Sequence, residues 1–436
     1  MAIYYVTVVS VIYLQLFIMM VSSQGQIKDF TRTEFIEIIT NKNAEFKVPP
    51  NYDIEEPTVV ECEILVDSFD SISEANMDFT VTVFLHLSWP DTRFTRIYPK
   101  IDNDLYIEID SKNLDKLWIP DLYFPNEKKA YYHDVFMPNK MLRIYRDGNV
   151  TYSTRLTLTL TCNMNLRNYP FDRQSCAIEM ESFSYNEHNI ILMWANRTEF
   201  RSAVELVGEN KESLPQFEVK DIILDEFFRR HSGSGNHSCV AAKFVLERNL
   251  GYYIVQMYIP SILVVMLSWI SFWLNANSVP GRISLGVLTV LTMTTQSSSV
   301  NASLPRVSYT KAIDIWMSTC LIFVFFALIE FAMVNFLTRM EMNKGVKIKN
   351  VFQIPADPEK NTPTKEALVK DKDEKEGEES RPRSPRKKIT SGVLLGMHVD
   401  VASRILFPTL FIIFNIVYWS YFYAQMESQG IPARGE

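Results

Sequence analysis

From Arg282 to Ala302 the sequence reads RISLGVLTVLTMTTQSSSVNA, long enough to cross a membrane yet studded with hydroxyls. Placed on a helix, Ser284, Leu288, Leu291, Thr295, Ser298 and Ala302 recur at gaps of four and three and share one face. Polar groups inside a membrane are costly unless they meet protein or water. The stripe is therefore either a helix–helix seam held by hydroxyls or the wall of a water-filled pore. One stripe cannot enclose water by itself, so the pore reading requires a ring of subunits.

A second stretch, CNMNLRNYPFDRQSC, places thirteen residues between Cys162 and Cys176, with Tyr-Pro-Phe-Asp near the middle. There is no C-x-x-C and no neighbouring histidine pair to complete a zinc site. Stapling a loop of this size gains about 3 kcal/mol by restricting the unfolded chain. That does not explain the apolar, proline-bent tip. No Ser/His/Asp set, metal constellation or phosphate loop is visible, so the sequence offers no enzyme, metal site or cofactor.

These segments must be positioned by two kinds of element. The chain has 436 residues, enough for two domains, and a net charge of -7 without basic clusters in its folded parts, which argues against nucleic-acid binding. Residues 1–23 form an apolar run ending in small residues, read as a signal peptide, with an uncleaved anchor as the alternative. The oxidising compartment this implies suits a Cys162–Cys176 disulfide and glycans at the sequons of Asn149, Asn196 and Asn236. Five cysteines leave an odd count; Cys62 in a strand-like run and Cys320 in a hydrophobic span read as packing residues. Residues 24–249 alternate apolar and polar between turn signals, as in MDFTVTVFLHLSW and STRLTLTLTC, which predicts an extracellular β-sandwich after one short helix in QIKDFTRTEFIEIIT.

The chemistry changes at Gly251. Residues 252–274, 283–300, 313–337 and 402–424 are each long enough to span a membrane, predicting a four-helix bundle with spans one to three in 250–340 and the fourth in 399–425. The charged segment 341–398 is expected to be a largely disordered cytoplasmic loop, and 426–436 an extracellular tail. The Lys and Arg of that loop, with Arg282, put it inside the cell and both termini outside a plasma membrane.

With loop, spans and stripe together, the chain resembles the Cys-loop receptors, the pentameric ligand-gated ion channels. The likeness is carried by LWIPDLYFPNEK, CNMNLRNYPFDRQSC, LERNLGYYIVQMYIPS, VLTMTTQSSS and SLPRVSYTKAIDIW, and runs from Phe30 to Ala424. It is closest to the glycine-receptor-like, anion-selective branch, of an invertebrate type. The resemblance implies a subunit of a homo- or hetero-pentamer in membrane lipid, opened by a small-molecule agonist and passing chloride. It also implies that the sealed loop presses its tip on the membrane domain: Pro170, after a cis Tyr169–Pro170 bond, with Phe171 and Asp172, the last pairing with Arg248; Arg306 joins this coupling set.

By the same resemblance the pore is lined at Pro280, Ser284, Leu288, Leu291, Thr295 and Ser298, with selectivity at Gly281 and Arg282. Cation channels of the family carry a glutamate where this chain has Gly281. The outer arginine of glycine receptors is replaced by Asn301, so anion preference is expected to be weak. Leu291 matches the gate leucine, and Leu288 stacks a second ring beneath it.

For the ligand, Phe124 and Asn126 match the first site loop, and Glu181, Ser182, Phe183 and Tyr185 the second; Phe84, Ser153 and Arg155 match the complementary face. The carboxylate-binding arginine is replaced by His86, which cannot form a permanent bidentate clamp. In the capping loop FFRRHSGSGNHSC, aligned through Cys239, two aromatic positions become Ser232 and His237, with Ser234 between them, and the second disulfide partner becomes Phe228. That loop is expected to be slack. The ligand expected is an amphiphile with an apolar body rather than glycine, glutamate or GABA. The rival readings are a cation-permeable or non-selective channel and a non-conducting subunit acting in heteromers.

Overall fold

The computed structural model describes residues 31–428 apart from 42–44, 53, 55, 99–104, 197–201, 208–213, 232, 234, 276–277, 303 and 352–390. The expected signal peptide, most of the charged loop, the C-terminal tail and the candidate residues Ser232 and Ser234 lie outside these. The chain divides into two units, Met1–Asn165 with Arg173–Asn249, and Leu166–Asp172 with Leu250–Glu436.

The first unit opens with helix α1 (Arg32–Asn41). Its strands are β1 (Thr58–Ser73), β2 (Asp78–Pro90), β3 (Tyr106–Ile109), β4 (Leu122–Tyr123), β5 (Glu127–Tyr132), β6 (Lys140–Tyr145), β7 (Asn149–Thr161), β8 (Arg173–Ser182), β9 (Ile190–Trp194), β10 (Val204–Leu206), β11 (Phe217–His231) and β12 (Gly235–Arg248). Among the described residues, one sheet runs β10-β1-β2-β7-β6-β3, with β5 on β7 and β9 on β1, and the other runs β11-β12-β8-β4. Period-two alternation builds the core. Val81, Val83, Leu85, Leu87 and Trp89 of β2 are buried while Phe84, His86 and Ser88 between them are half-buried on the outer face. Phe69 of β1 meets Phe244 of β12 edge-on, with centroids 5.4 Å apart, joining the two sheets as a sandwich. The Cys162–Cys176 disulfide ties the end of β7 to β8, which belong to different sheets.

The second unit is helical: α2 (Gly251–Trp273), α3 (Val279–Ala302), α4 (Ala312–Val351) and α5 (Ser391–Ser428). α2 widens to a π-turn at Ile254–Tyr258, just ahead of Pro260. The wide turn accommodates a residue that lacks an N–H and whose ring crowds the preceding turn. Among the described residues, Gly251–Trp273, Ala312–Arg339 and Leu395–Ser428 are long and apolar enough to cross a membrane. The hydroxyl-rich α3 does not belong to that set. Helix enters the expected charged loop, 341–398, from both ends, since α4 continues to Val351 and α5 begins at Ser391. An existing helix needs no new nucleus, and Glu, Met and Lys propagate it well.

One end of the helical unit is an aromatic cluster. Tyr258 packs on Trp316 and on Trp419, both at 4.9 Å between centroids, and its hydroxyl lies 2.9 Å from that of Tyr418. At the other end Arg282 is buried. Its guanidinium makes two bonds to Asp400 of α5, at 3.0 and 3.1 Å, and donates to the Leu274 carbonyl beyond α2. Arg404 donates to the Phe272 carbonyl at 2.9 and 3.0 Å, so two cations satisfy carbonyls at the end of α2 that have no partner within the helix. Glu330 of α4 joins Arg282 and Asp400 in this buried cluster. Between the ends, a Cβ at Gly286 would collide with Leu328, which brings α3 and α4 close together.

Replacing Asp400 by alanine strands the Arg282 charge among the helices, a loss of about 3–5 kcal/mol. A large fall in melting temperature and yield of detergent-solubilised protein is expected. Asp400→Ala protein that melts with the wild type would refute the role assigned to this pair.

Candidate functional site

On α3 the buried residues are Arg282, Thr289, Met293 and Val300. At about 100° per residue these fall on one line, and Ser284, Leu288, Leu291, Thr295, Ser298 and Ala302 fall nearly opposite it. Each member of that stripe is exposed in the isolated chain. Two of its hydroxyls are internally satisfied: Ser284 donates to the Pro280 carbonyl at 2.6 Å, and Thr295 to that of Thr292 at 2.9 Å. Pro280 and Gly281 are both exposed at the start of the helix. Arg282 does not join the exposed stripe. Asp400 and the Leu274 carbonyl hold its guanidinium inside the bundle.

The sealed loop is built around its tip. The Tyr169–Pro170 bond is cis. Phe171 is fully buried among Tyr258, Tyr418, Trp419 and Phe422, stacked on Phe422 at 5.7 Å. The loop carbonyls of Arg167 and Tyr169 accept from the amides of Ala312 and Ile313, at 2.9 and 3.1 Å, and so cap the start of α4. Pro170 and Asp172 are buried in the same unit, and Arg306 is exposed between α3 and α4. In the sandwich, Arg248 is buried against Glu74 and over the Phe217 ring at 4.3 Å.

The ligand candidates fall into two groups on different sheets. On the outer face of the larger sheet, the register sets Phe84 opposite Arg155 and His86 opposite Ser153. The His86 ring nitrogen Nδ1 lies 2.6 Å from the Ser153 hydroxyl. Arg155 sits over Phe84 at 5.4 Å and bonds Asp67 of β1 at 2.7 Å, so its charge has an internal partner.

The second group lies on the smaller sheet. Asp121 accepts from the Ser182 hydroxyl at 2.6 Å and from the Ser184 amide at 2.8 Å, fixing the turn that carries Phe183 and Tyr185. Phe183 projects outward, 74% exposed, with Tyr123 edge-on at 5.7 Å. Of the expected ligand residues, Phe124 is buried, and the Asn126 amide donates to the carbonyls of Thr161 and Ala177. His237 is also buried, with Nδ1 3.1 Å from the Ser182 carbonyl.

The capping segment is a paired hairpin. Its ladder pairs continuously from Asp221↔Val245 to His231↔Gly235, turning through Gly233 at a φ of 104°. The register sets Cys239 opposite Phe227, and Phe228 opposite Ser238. Cys239 is a free thiol whose pKa burial, aided by the Glu181 charge, pushes up to about 12, so it remains protonated. The Cys62 thiol in β1 is likewise free and pushed up by burial.

Three residues that the sequence reading missed complete this face. Arg229 bonds Glu181 at 2.8 Å and Glu179 at 2.6 Å, and the His231 Nε2 lies 2.5 Å from Glu181. The signal was present as odd-numbered alternation: 227, 229 and 231 on β11 share a face with 179 and 181 on β8. Among the described residues, no group of three or more His, Cys, Asp or Glu could hold a metal ion.

Comparison with known families agrees with both units. Residues 33–250 match the neurotransmitter-gated ion-channel ligand binding domain, and residues 257–367 match the neurotransmitter-gated ion-channel transmembrane region. This is a family of channels, not of enzymes, whose members assemble as pentamers and bind small molecules. A β-sandwich of this topology, a disulfide-sealed loop and a helical membrane region in one chain place it in the neurotransmitter-gated ion-channel family, the Cys-loop receptors.

Proposed function

We propose that the chain is a plasma-membrane, anion-selective channel subunit in which a ligand held between subunits opens a central pore lined by α3. The observation that carries this reading is the exposed stripe Ser284–Leu288–Leu291–Thr295–Ser298, set nearly opposite the buried row of the same helix. Five such helices facing one axis would enclose water. Leu288 and Leu291, 56% and 57% exposed, would form two stacked apolar rings that lose their water when closed. Chloride preference is supported by the lack of any Asp or Glu between Val279 and Ala302. Pro170, Phe171, Asp172, Arg248 and Arg306 are proposed to couple ligand binding to the pore. Asn149, Asn196 and Asn236 are proposed glycan sites; the Asn236 amide, which bonds Glu187, would have to be released first.

One observation favours a second, non-selective reading. The Arg282 charge is compensated by Asp400, so the mouth at Pro280 and Gly281 has no free cation from that residue. Reversal potentials in ion-substituted solutions, on oocytes expressing this chain alone, separate the two readings. A displacement that follows chloride supports the first.

Leu291→Thr is expected to yield channels that leak or open more readily, because a hydroxyl ring hydrates the gate; Leu288→Thr should act more weakly. Unchanged resting conductance and agonist sensitivity in a conducting channel would remove the gate assignment. Gly281→Glu is expected to shift permeability toward cations. A Cβ there meets nothing within 4 Å, so an unchanged permeability ratio could not be blamed on crowding. For the ligand, little or no glycine current is expected at neutral pH, because the Arg155 and Glu181 charges already have partners. Robust glycine currents, unaffected by His86→Ala, would overturn this.

A further inference from the structure

Glu181 is buried in an unusual way. In β12 the even-numbered Ser238 and Phe244 point toward the larger sheet, where they meet Leu192 and Phe69. Glu181 pairs with the odd-numbered Cys239 and so lies on the opposite, outward face, yet it is fully buried. What covers it is the hairpin itself. The Arg229 guanidinium sits between Glu179 and Glu181 and 5.6 Å over the Phe227 ring, and the His231 imidazole closes the other carboxylate oxygen. Tyr123, Cys239 and His237 complete the surround; burial and the Glu181 charge raise the Tyr123 pKa, and His231 and His237 rings lie 5.0 Å apart. A carboxylate pair beside an aromatic ring is the setting in which a cation is held best. Here that setting already contains one, from the same chain.

We propose that Arg229 and His231 are specificity-determining residues: a tethered cation that fills the amine position of the ligand face and bars ammonium ligands. The ligand this face accepts then carries no ammonium group and binds through its apolar body at Phe183 and Phe227, which are exposed beside the filled position. This rests on the proposed ligand site. An incoming ammonium would have to displace a guanidinium held by two charge-assisted bonds and would leave a cation without its partners, so exclusion follows from the pairing rather than from size.

The test uses the purified full-length pentamer in detergent, with thermal shift and tryptophan fluorescence as readouts. Phenethylamine is the ammonium probe, and phenylacetamide its uncharged counterpart. Wild type is expected to show no saturable response to phenethylamine. Arg229→Ala/His231→Ala is expected to acquire one, tighter by about tenfold or more, and Glu181→Gln added to that variant should abolish it. Arg229→Met, which keeps much of the side-chain packing, is run in the same arms in case the double variant fails to assemble. Wild-type binding of phenethylamine as tight as the variants', or assembled Arg229→Met protein with no gain, would overturn the proposal. These readouts do not depend on conduction, so they stand or fall separately from the channel reading.

Discussion

Everything in the helical unit turns on one buried guanidinium. Arg282 belongs to α3, satisfies a carbonyl at the end of α2 and pairs with Asp400 on α5, so one side chain ties three helices together. A charge withdrawn from water in this way needs all of its partners, and their positions leave α3 little freedom to rotate. Thr289, Met293 and Val300 follow Arg282 inward at helical spacing. The hydroxyl stripe is thereby turned outward, toward whatever lies beyond the chain. The orientation of the proposed pore face is thus fixed from behind, by a residue that never reaches it.

The same economy of charge is seen in the sandwich. Arg155 is held by Asp67, and Glu181 by Arg229 and His231. Two faces that look poised for a zwitterion on inspection of residue types are each neutralised within the subunit. What these faces leave exposed is chiefly aromatic surface and neutral hydrogen-bonding groups.

Much of the fold was legible because it depends on periodicity. Strand alternation identified the sandwich, and the gaps of four and three placed the α3 stripe on one face. In the proposed site, the legible part was the grouping of residues on regular strands, such as Phe84, His86, Ser153 and Arg155 on β2 and β7. What escaped were partners chosen by tertiary packing. Nothing local to Arg282 announces Asp400, 118 positions away, and nothing local to Glu181 announces Arg229. The capping hairpin is a related case: its glycines and missing staple give no sign of the side chains that reach across to β8. Nothing local to His237 announces that it is buried with its ring nitrogen against the Ser182 carbonyl.

The sealed loop carries a further consequence. It is joined to the start of α4 through the carbonyls of Arg167 and Tyr169, main-chain atoms that every amino acid possesses. A scan that swaps side chains one at a time would perturb the ring cluster around Phe171 and leave this tether untouched. The loop and the first turn of α4 are in that sense spliced end to end, and a displacement of one is delivered to the other whatever residues decorate them.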